Sequence, residues 1–275
     1  MSAPAPLRLR PLEIGDVLDE TFRIYRRHFW LFAGISVIMA IPAAALTAFV
    51  YGLLANFLQL ANTNQTPDAG GLVTALLVYL IGYLFLLLLT PFTYGMVTYA
   101  VCDSALGRPV TIWGALRAVV RRYFAILGYF VLIALMALFF CLFPLWIWIE
   151  VGWLVVLPVM FIEKVGLGGA MGRSWRLVQG RWWRTFLIIF LVGLLYTVVQ
   201  VSLAGFLGLA NGLLTIVVSQ YVALAIGQGA SILVSSLAIP VVQIAIVLVY
   251  FDLRVRREAL DLFQLAQRVS ASQPA

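Results

Sequence analysis

Charged side chains are scarce in this 275-residue chain, at 11% of the residues. Soluble globular proteins carry about 25% charged and roughly 45–50% apolar residues, whereas 64% of this chain is apolar and its mean hydropathy is +1.05. The longest stretch without Asp, Glu, Lys, Arg or His is 67 residues long and runs from Thr185 to Phe251. One membrane-spanning helix needs only about 20 apolar residues. The composition therefore excludes a soluble globular domain and predicts an all-α, polytopic membrane protein.

Histidine and cysteine are nearly absent. His28 is the one histidine, and Cys102 and Cys141 are the two cysteines. Their spacing matches no zinc site, and the chain has neither a P-loop nor a serine-hydrolase elbow. The glycine-rich stretch 166–172 follows no predicted strand and indicates a loop with close helix packing. We therefore expect no metal, no cofactor and no catalytic residue.

The 18 basic residues fall into four clusters, at 8–27, 108–122, 164–184 and 254–268. Cytoplasmic loops carry an excess of Lys and Arg, so an even number of spans separates any two clusters if all four are cytoplasmic. The net charge of +7 is thus interpreted as membrane orientation and not as nucleic-acid binding. The pattern predicts a single integral domain over 1–275, in the cell membrane, with six spans and both termini in the cytoplasm. The spans are expected near 30–58, 73–100, 123–142, 145–163, 183–207 and 229–251.

Each pair of spans follows a polar, amphipathic segment that ends in arginine and aromatic residues. Helices of this type lie in the membrane interface with the apolar face in lipid, and we expect such interfacial helices at 12–28, 110–122 and 167–181. We hypothesise that the chain repeats one unit three times, and that each unit is an interfacial helix followed by two spans. The last span is expected to continue as a cytoplasmic helix over 252–268, stiffened by a ladder of ion pairs four residues apart such as Asp252–Arg256 and Arg254–Glu258. The surplus apolar segment 208–228 suits an outer-surface helix, a re-entrant piece or helix extensions.

Tryptophan favours the membrane–water boundary, and its distribution agrees with this map. Trp30, Trp113, Trp175, Trp182 and Trp183 fall at predicted inner boundaries, whereas Trp146, Trp148 and Trp153 fall near the outer one. Only two acidic residues remain outside, and Glu150 is the candidate for an outer-side polar site.

Arginines next to the spans are the candidate contacts for lipid head groups, because juxtamembrane basic residues bind an anionic leaflet. The alternative is that they only fix the orientation. The candidates are Arg23, Arg26, Arg27, Arg121, Arg122, Arg176, Arg181 and Arg184.

Four stretches together resemble a known family. They are IGDVLDETFRIYRR at 14–27, LGRP at 106–109, RSWRLVQGRWW at 173–183 and the closing helix at 250–262. The chain resembles the glycerophosphoryl diester phosphodiesterase membrane domain, found in six-span bacterial proteins. The family is named after copies fused to a catalytic barrel, and no such barrel fits here. Ala259 stands where the resemblance implies glycine.

The sequence predicts a non-enzymatic, lipid-interacting or scaffold-like membrane protein. Its expected partners are the anionic phospholipids of the inner leaflet, a second copy of the chain or another membrane protein, and no nucleic acid. One alternative is a transporter or lipid translocator, which the polar side chains of the last two spans suggest, among them Gln200, Gln228 and Gln243. A phospholipid-cleaving enzyme is the third hypothesis.

Overall fold

The structure, a computed structural model, describes residues 13–61, 69–137 and 143–258. These residues form helices joined by short turns, without a strand among them, so the all-α prediction is confirmed. The helices are α1 (Ile14–Arg27), α2 (Phe29–Ala61), α3 (Ala69–Ala105), α4 (Ile112–Arg121), α5 (Tyr123–Ala137), α6 (Phe143–Gly152), α7 (Val156–Ile162), α8 (Leu167–Val178), α9 (Trp182–Leu214), α10 (Gln220–Ser236) and α11 (Ile239–Glu258).

Five helical stretches among the described residues are long and apolar enough to cross a membrane. They are Phe29–Gly52, Leu76–Ala105, Pro144–Ile162, Trp182–Leu214 and Val222–Glu258. A sixth candidate combines α4 with the first part of α5, and this pair is bent by 72°. The helices are thus compatible with a multi-pass membrane protein, and the count of six spans stays a prediction.

The three expected amphipathic helices are present as α1, α4 and α8. Helix α4 begins after Thr111, whose hydroxyl accepts the backbone N–H of Gly114 at 3.1 Å. Such a cap satisfies one of the first-turn N–H groups that have no partner inside the helix. Helix α8 begins after Gly166 and has no side-chain cap.

The apolar faces of these helices pack against protein, which differs from the expectation that they lie in lipid. Val17 of α1, Val119 of α4 and Leu177 of α8 are fully buried in the same hydrophobic core. The rest of that core comes mainly from α7, α11 and the C-terminal half of α3. The apolar stripe of an amphipathic helix fits a protein surface as well as a lipid surface, so periodicity alone did not decide between them.

Helix α11 lies at the centre of this core and contacts α1, α3, α7, α8 and α9. It follows α10 after a short turn at Leu237, whose carbonyl accepts the Tyr25 hydroxyl at 2.7 Å. Gln243 is buried and accepts a hydrogen bond from Thr98 of α3 at 2.6 Å. The expected cytoplasmic helix over 252–268 is the end of α11 as far as Glu258, and its remainder lies outside the described residues.

Four helical segments extend away from this core, and we call them the apolar arms. They are the second half of α2, the first half of α3, the second half of α9, and α10. Close contact joins α2 to α10, where an added Cβ on Gly229 would lie 3.2 Å from the Ala48 side chain and 3.3 Å from the Ala44 carbonyl. Because α9 runs to Leu214 and α10 starts at Gln220, the 208–228 segment consists largely of helix extensions, one of its three expected forms.

The tryptophans do not separate into two belts as the sequence analysis expected. The ring of Trp148 lies 4.5 Å, centroid to centroid, from that of Trp175. Its backbone carbonyl accepts the indole N–H of Trp182 at 3.1 Å. Residues that touch cannot occupy opposite faces of a bilayer, so the division into an inner and an outer group is wrong for these three.

The repeat of three units stays a prediction. In the first unit the two long helices have 33 and 37 residues. In the second, the corresponding helices have 15 residues and, on the return, 10 and 7. The units therefore differ in length as well as in sequence.

Candidate functional site at the charged end

Many charged residues of the described chain gather at one end of the molecule. We call this region the charged end; it comprises α4, α8, the turn 163–166, the first turn of α9 and the segment 250–258 of α11. Described members of the last three basic clusters meet there through side-chain contacts. Helix α1 also packs on α11, but its Tyr25 contacts Leu237 at the opposite end of that helix. The convergence therefore supports the expectation of a common side for these three clusters.

The first element of the charged end is a cluster of ion pairs between α7, α8 and α11. Arg173 donates to both carboxylate oxygens of Glu163, at 3.0 and 3.2 Å, and also pairs with Glu258. Arg254 pairs with the same Glu258 at 2.9 Å. The Tyr250 hydroxyl donates to Glu163 at 3.0 Å. Two acids and two arginines thus lock three helices together.

Burial and ion pairing shift the pKa of Arg173 in opposite directions. Burial by itself lowers the pKa of the guanidinium, but hydrogen bonds and attraction from Glu163 and Glu258 outweigh it, so the pKa is raised. The charged form of Arg173 is therefore favoured by its partners. A group held in this way is a structural connector, with little freedom to bind an external anion.

The second element is centred on Asp252, whose side chain is fully buried. Arg184 of α9 donates to one carboxylate oxygen at 2.5 Å, and Arg256 donates to the other at 2.9 Å. A buried charge is costly unless it is paired and hydrogen-bonded. Because α9 supplies one partner and α11 the other, Asp252 fixes the start of α9 against the end of α11.

Backbone carbonyls at the charged end are bonded as well. Arg257 donates to the carbonyls of Arg176 and Gln179, at the C-terminal end of α8. Arg181 donates to the carbonyl of Arg256 at 3.2 Å. The last carbonyls of a helix have no partner within it, so Arg257 completes the end of α8, and Arg181 joins the turn before α9 to α11.

A cavity of about 780 Å³ opens beside these networks. It lies between the end of α3, α4, the start of α5, and the turn from α7 into α8. Four basic side chains line it, from Arg108, Arg121, Arg122 and Lys164, and the one acidic side chain in its lining is Asp103. Ligand sites in proteins commonly have volumes of about 300–1,000 Å³, so the cavity is large enough for a small anion or a lipid head group.

No family model, curated protein or solved structure matches the chain. The site is therefore interpreted from its own geometry.

The structure divides the eight candidate arginines into two groups. Arg122, Arg181 and Arg184 are half-buried and donate to protein acceptors, for example Arg122 to the Val165 carbonyl at 2.7 Å. Exposed members are Arg23, Arg26, Arg27, Arg121 and Arg176, and Arg23 pairs with Glu20 of the same helix. Contact with lipid head groups stays a prediction for all eight, and the exposed five have the freer guanidinium groups.

Glu150 lies in a different place from the expected one. It sits on α6 between Trp148 and Gly152, and both of these residues contact α8 or the first turn of α9. The Gly152 carbonyl accepts the Ser174 hydroxyl at 2.8 Å, and the indole of Trp175 covers the Gly152 backbone. Glu150 thus lies beside elements of the charged end, and its role as a polar site stays a prediction.

Exposed aromatic side chains stand next to the exposed arginines. Trp30 is 86% exposed and follows Arg26 and Arg27, and Phe124 is 83% exposed and follows Arg122. Trp113 and Trp183 are also exposed, at the starts of α4 and α9. Aromatic rings beside basic residues are typical of the membrane–water boundary.

Two features of the site were missed by the sequence analysis. The cluster of Glu163, Arg173 and Glu258 joins residues far apart in the chain, so no local spacing signals it. Asp103 at the end of α3 and Arg108 in the loop that follows meet Lys164 only in the folded protein. The glycines 166, 168 and 169 were the one local signal, because they come soon after Lys164 and open α8.

Two of the polar residues behind the transport hypothesis are bonded within the protein. Gln243 accepts from Thr98, and Gln200 donates to the Tyr196 hydroxyl at 2.6 Å on the same helix. The first bond joins α11 to α3, as polar residues commonly join helices in membranes.

Proposed function

We propose that this chain is a multi-pass integral membrane protein that binds anionic phospholipids with the exposed arginines of α1 and of its charged end. In this proposal these arginines face the cytoplasm with both termini. The five long apolar stretches, which include the apolar arms, cross the bilayer, and α5 supplies the sixth crossing. The protein acts as a lipid-interacting membrane domain and carries no catalytic activity of its own. Membership of the glycerophosphoryl diester phosphodiesterase membrane domain family stays a prediction, based on the sequence motifs.

The observation that carries the proposal is the repeated pairing of exposed arginines with exposed aromatic rings where a polar helix meets an apolar one. Arg26 and Arg27 beside Trp30 are the clearest instance, because all three side chains are exposed. Each Lys or Arg near an anionic leaflet contributes about 1 kcal/mol of attraction. The apolar arms hold no charged residue in their described parts, so they fit the hydrocarbon layer that the proposal requires.

The test is the lipid preference of the reconstituted full-length protein. Spin-labelled phosphatidylglycerol and phosphatidylcholine report, by electron paramagnetic resonance, the ratio of the two lipids in the shell around the protein. The Arg26→Gln/Arg27→Gln variant should reduce the preference for phosphatidylglycerol several-fold. Asp19→Asn, which removes an exposed acid from the same helix, is the matched control and should leave the preference unchanged or raise it. An unchanged preference in the arginine variant would overturn the proposal.

A further inference from the structure

The lining of the 780 Å³ cavity has a surplus of positive charge. The guanidinium of Arg108 lies 3.6 Å, nitrogen to oxygen, from the carboxylate of Asp103. This ion pair neutralises one of the four basic side chains. Three positive charges therefore remain around a single cavity, from Arg121, Arg122 and Lys164. Helix α4 explains only part of the surplus, because cations favour a helix C-terminus but Lys164 belongs to another segment.

The turn 163–166 is held in an unusual conformation. Lys164 has φ of 57°, and it is the one non-glycine residue with positive φ in the part of the chain that the structure describes. This conformation is costly for residues other than glycine and concentrates at ligand sites. Two contacts secure the turn, one from Glu163 to Arg173 and one from Arg122 to the Val165 carbonyl.

Helix α8 starts at the wall of the same cavity. Its N-cap, Gly166, lines the cavity, and no side chain caps the helix. The first N–H groups of a helix carry partial positive charge and bind phosphate readily. Gly168 has no neighbour within 4 Å of an added Cβ, so an anion has room to approach this first turn.

Most of the remaining lining is apolar. Leu106, Phe124, Phe161 and Ile162 contribute to it, and Phe124 is among the most exposed side chains of the protein. The cavity therefore combines a cationic part with a surface suited to hydrocarbon. A phosphate group joined to an apolar tail matches both parts.

From these features we propose that the cavity binds one phosphate monoester, whose phosphate lies among Arg121, Lys164 and the first turn of α8. A phosphate monoester carries about −1.5 to −2 charge at pH 7, which suits the surplus better than the single charge of a diester. The ester is either the head group of a lipid or a soluble molecule. Only the lipid source rests on the proposed function above.

Full-length protein in non-ionic detergent provides the test. Dioctanoyl phosphatidic acid is the lipid probe and glycerol 3-phosphate the soluble probe, with dioctanoyl phosphatidylcholine as the control lipid. Native mass spectrometry counts the bound lipid, and isothermal titration calorimetry measures the soluble ester. One molecule should bind per chain, and the Arg121→Gln/Lys164→Gln variant should weaken its binding about 10- to 100-fold.

Arg117→Gln is the matched control, because Arg117 is exposed on the same helix as Arg121 and does not line the cavity. It should keep the affinity of the parent chain. Tighter binding of phosphatidic acid than of glycerol 3-phosphate identifies the ligand as a lipid head group. Equal affinity for the two identifies it as a soluble ester. Both results support the site. Binding that is absent, or that falls equally in the Arg117 and Arg121/Lys164 variants, overturns it. The two proposals fail separately, because Arg26 and Arg27, whose replacement tests the proposed function, lie outside this cavity.

Discussion

The charged end and the apolar arms contain the same kinds of apolar residue but use them differently. Along α9, Ile188 near the charged end is fully buried, whereas Leu209 in the arm is 74% exposed. In the most apolar 18-residue stretch of α3, and in that of α9, 11% of the residues are buried. In the corresponding stretch of Pro144–Ile162, 50% are buried. One helix thus passes from a protein environment into a region where most of its side chains are exposed.

The difference shows how each region is stabilised. At the charged end, side chains contact side chains across helices, and ion pairs fix the ends of α8, α9 and α11. In the arms, backbone hydrogen bonds within each helix satisfy the polar groups, as a bilayer requires. Lipid is as apolar as leucine, so helix contacts there depend on small residues and close packing, such as Gly229 against Ala44 and Ala48.

The largest loss of stability should follow Asp252→Ala. This change leaves Arg184 and Arg256 without their shared buried carboxylate, and breaking a buried ion pair by removing one partner costs about 3–5 kcal/mol. The free energy of unfolding is measured by SDS titration in mixed micelles, followed by circular dichroism. Asp19→Ala, at an exposed position of α1, is the control and should cost less than about 0.5 kcal/mol. Equal losses in the two variants would remove the distinction between the charged end and an ordinary polar surface.

A smaller loss, of about 3 kcal/mol, is expected for Ile188→Ala, because a buried large-to-small change leaves a cavity. The comparison within α9 comes from Leu209→Ala, whose side chain makes few protein contacts and should cost less than about 1 kcal/mol. The same SDS titration gives both values. Similar losses at the two positions would mean that the arm is packed against something in the micelle, such as a second copy of the chain.

The third effect is steric and should cost about 1–3 kcal/mol. In Gly152→Ala the new Cβ would lie 2.4 Å from the indole of Trp175, so α6 and α8 must move apart. Gly205→Ala in the arm of α9 is the matched control, because no atom lies within 4 Å of an added Cβ there. Thermal unfolding of the two variants, compared with the parent, should show a lower midpoint for Gly152→Ala only. A lowered midpoint for Gly205→Ala would reveal a partner for that surface.

Much of the fold follows from the sequence because membrane helices leave strong local signals. Uninterrupted apolar runs predicted the long helices, and helical periodicity together with the arginine–aromatic endings predicted α1, α4 and α8. The charged ladder after Tyr250 predicted the pairs Asp252–Arg256 and Arg254–Glu258, which the structure contains. Each of these features depends on residues close together in the chain.

Tertiary contacts were harder to predict, because nothing local encodes them. Asp252 was interpreted as part of a helix-stiffening ladder, although its second partner is Arg184, 68 residues away. The expected division of tryptophans into an inner and an outer belt was wrong for a similar reason. Trp148 and Trp182 fall at opposite predicted boundaries, but α6 lies against the start of α9 and brings them together. The cavity combines residues from four separate segments. The glycines before and within the first turn of α8 were therefore the only local signal of it in the sequence.

The depth of two spin labels tests most directly whether the apolar arms lie inside the membrane and the exposed arginines outside it. Labels are attached to Val201→Cys in the arm of α9 and to Arg26→Cys in α1, in a background with Cys102→Ala and Cys141→Ala. Collision rates with oxygen, which concentrates in the bilayer, and with a water-soluble nickel complex are then compared in reconstituted vesicles. We predict that the label at 201 is accessible to oxygen and shielded from nickel, and that the label at 26 shows the reverse. Nickel access at 201 equal to that at 26 would contradict a membrane-embedded arm.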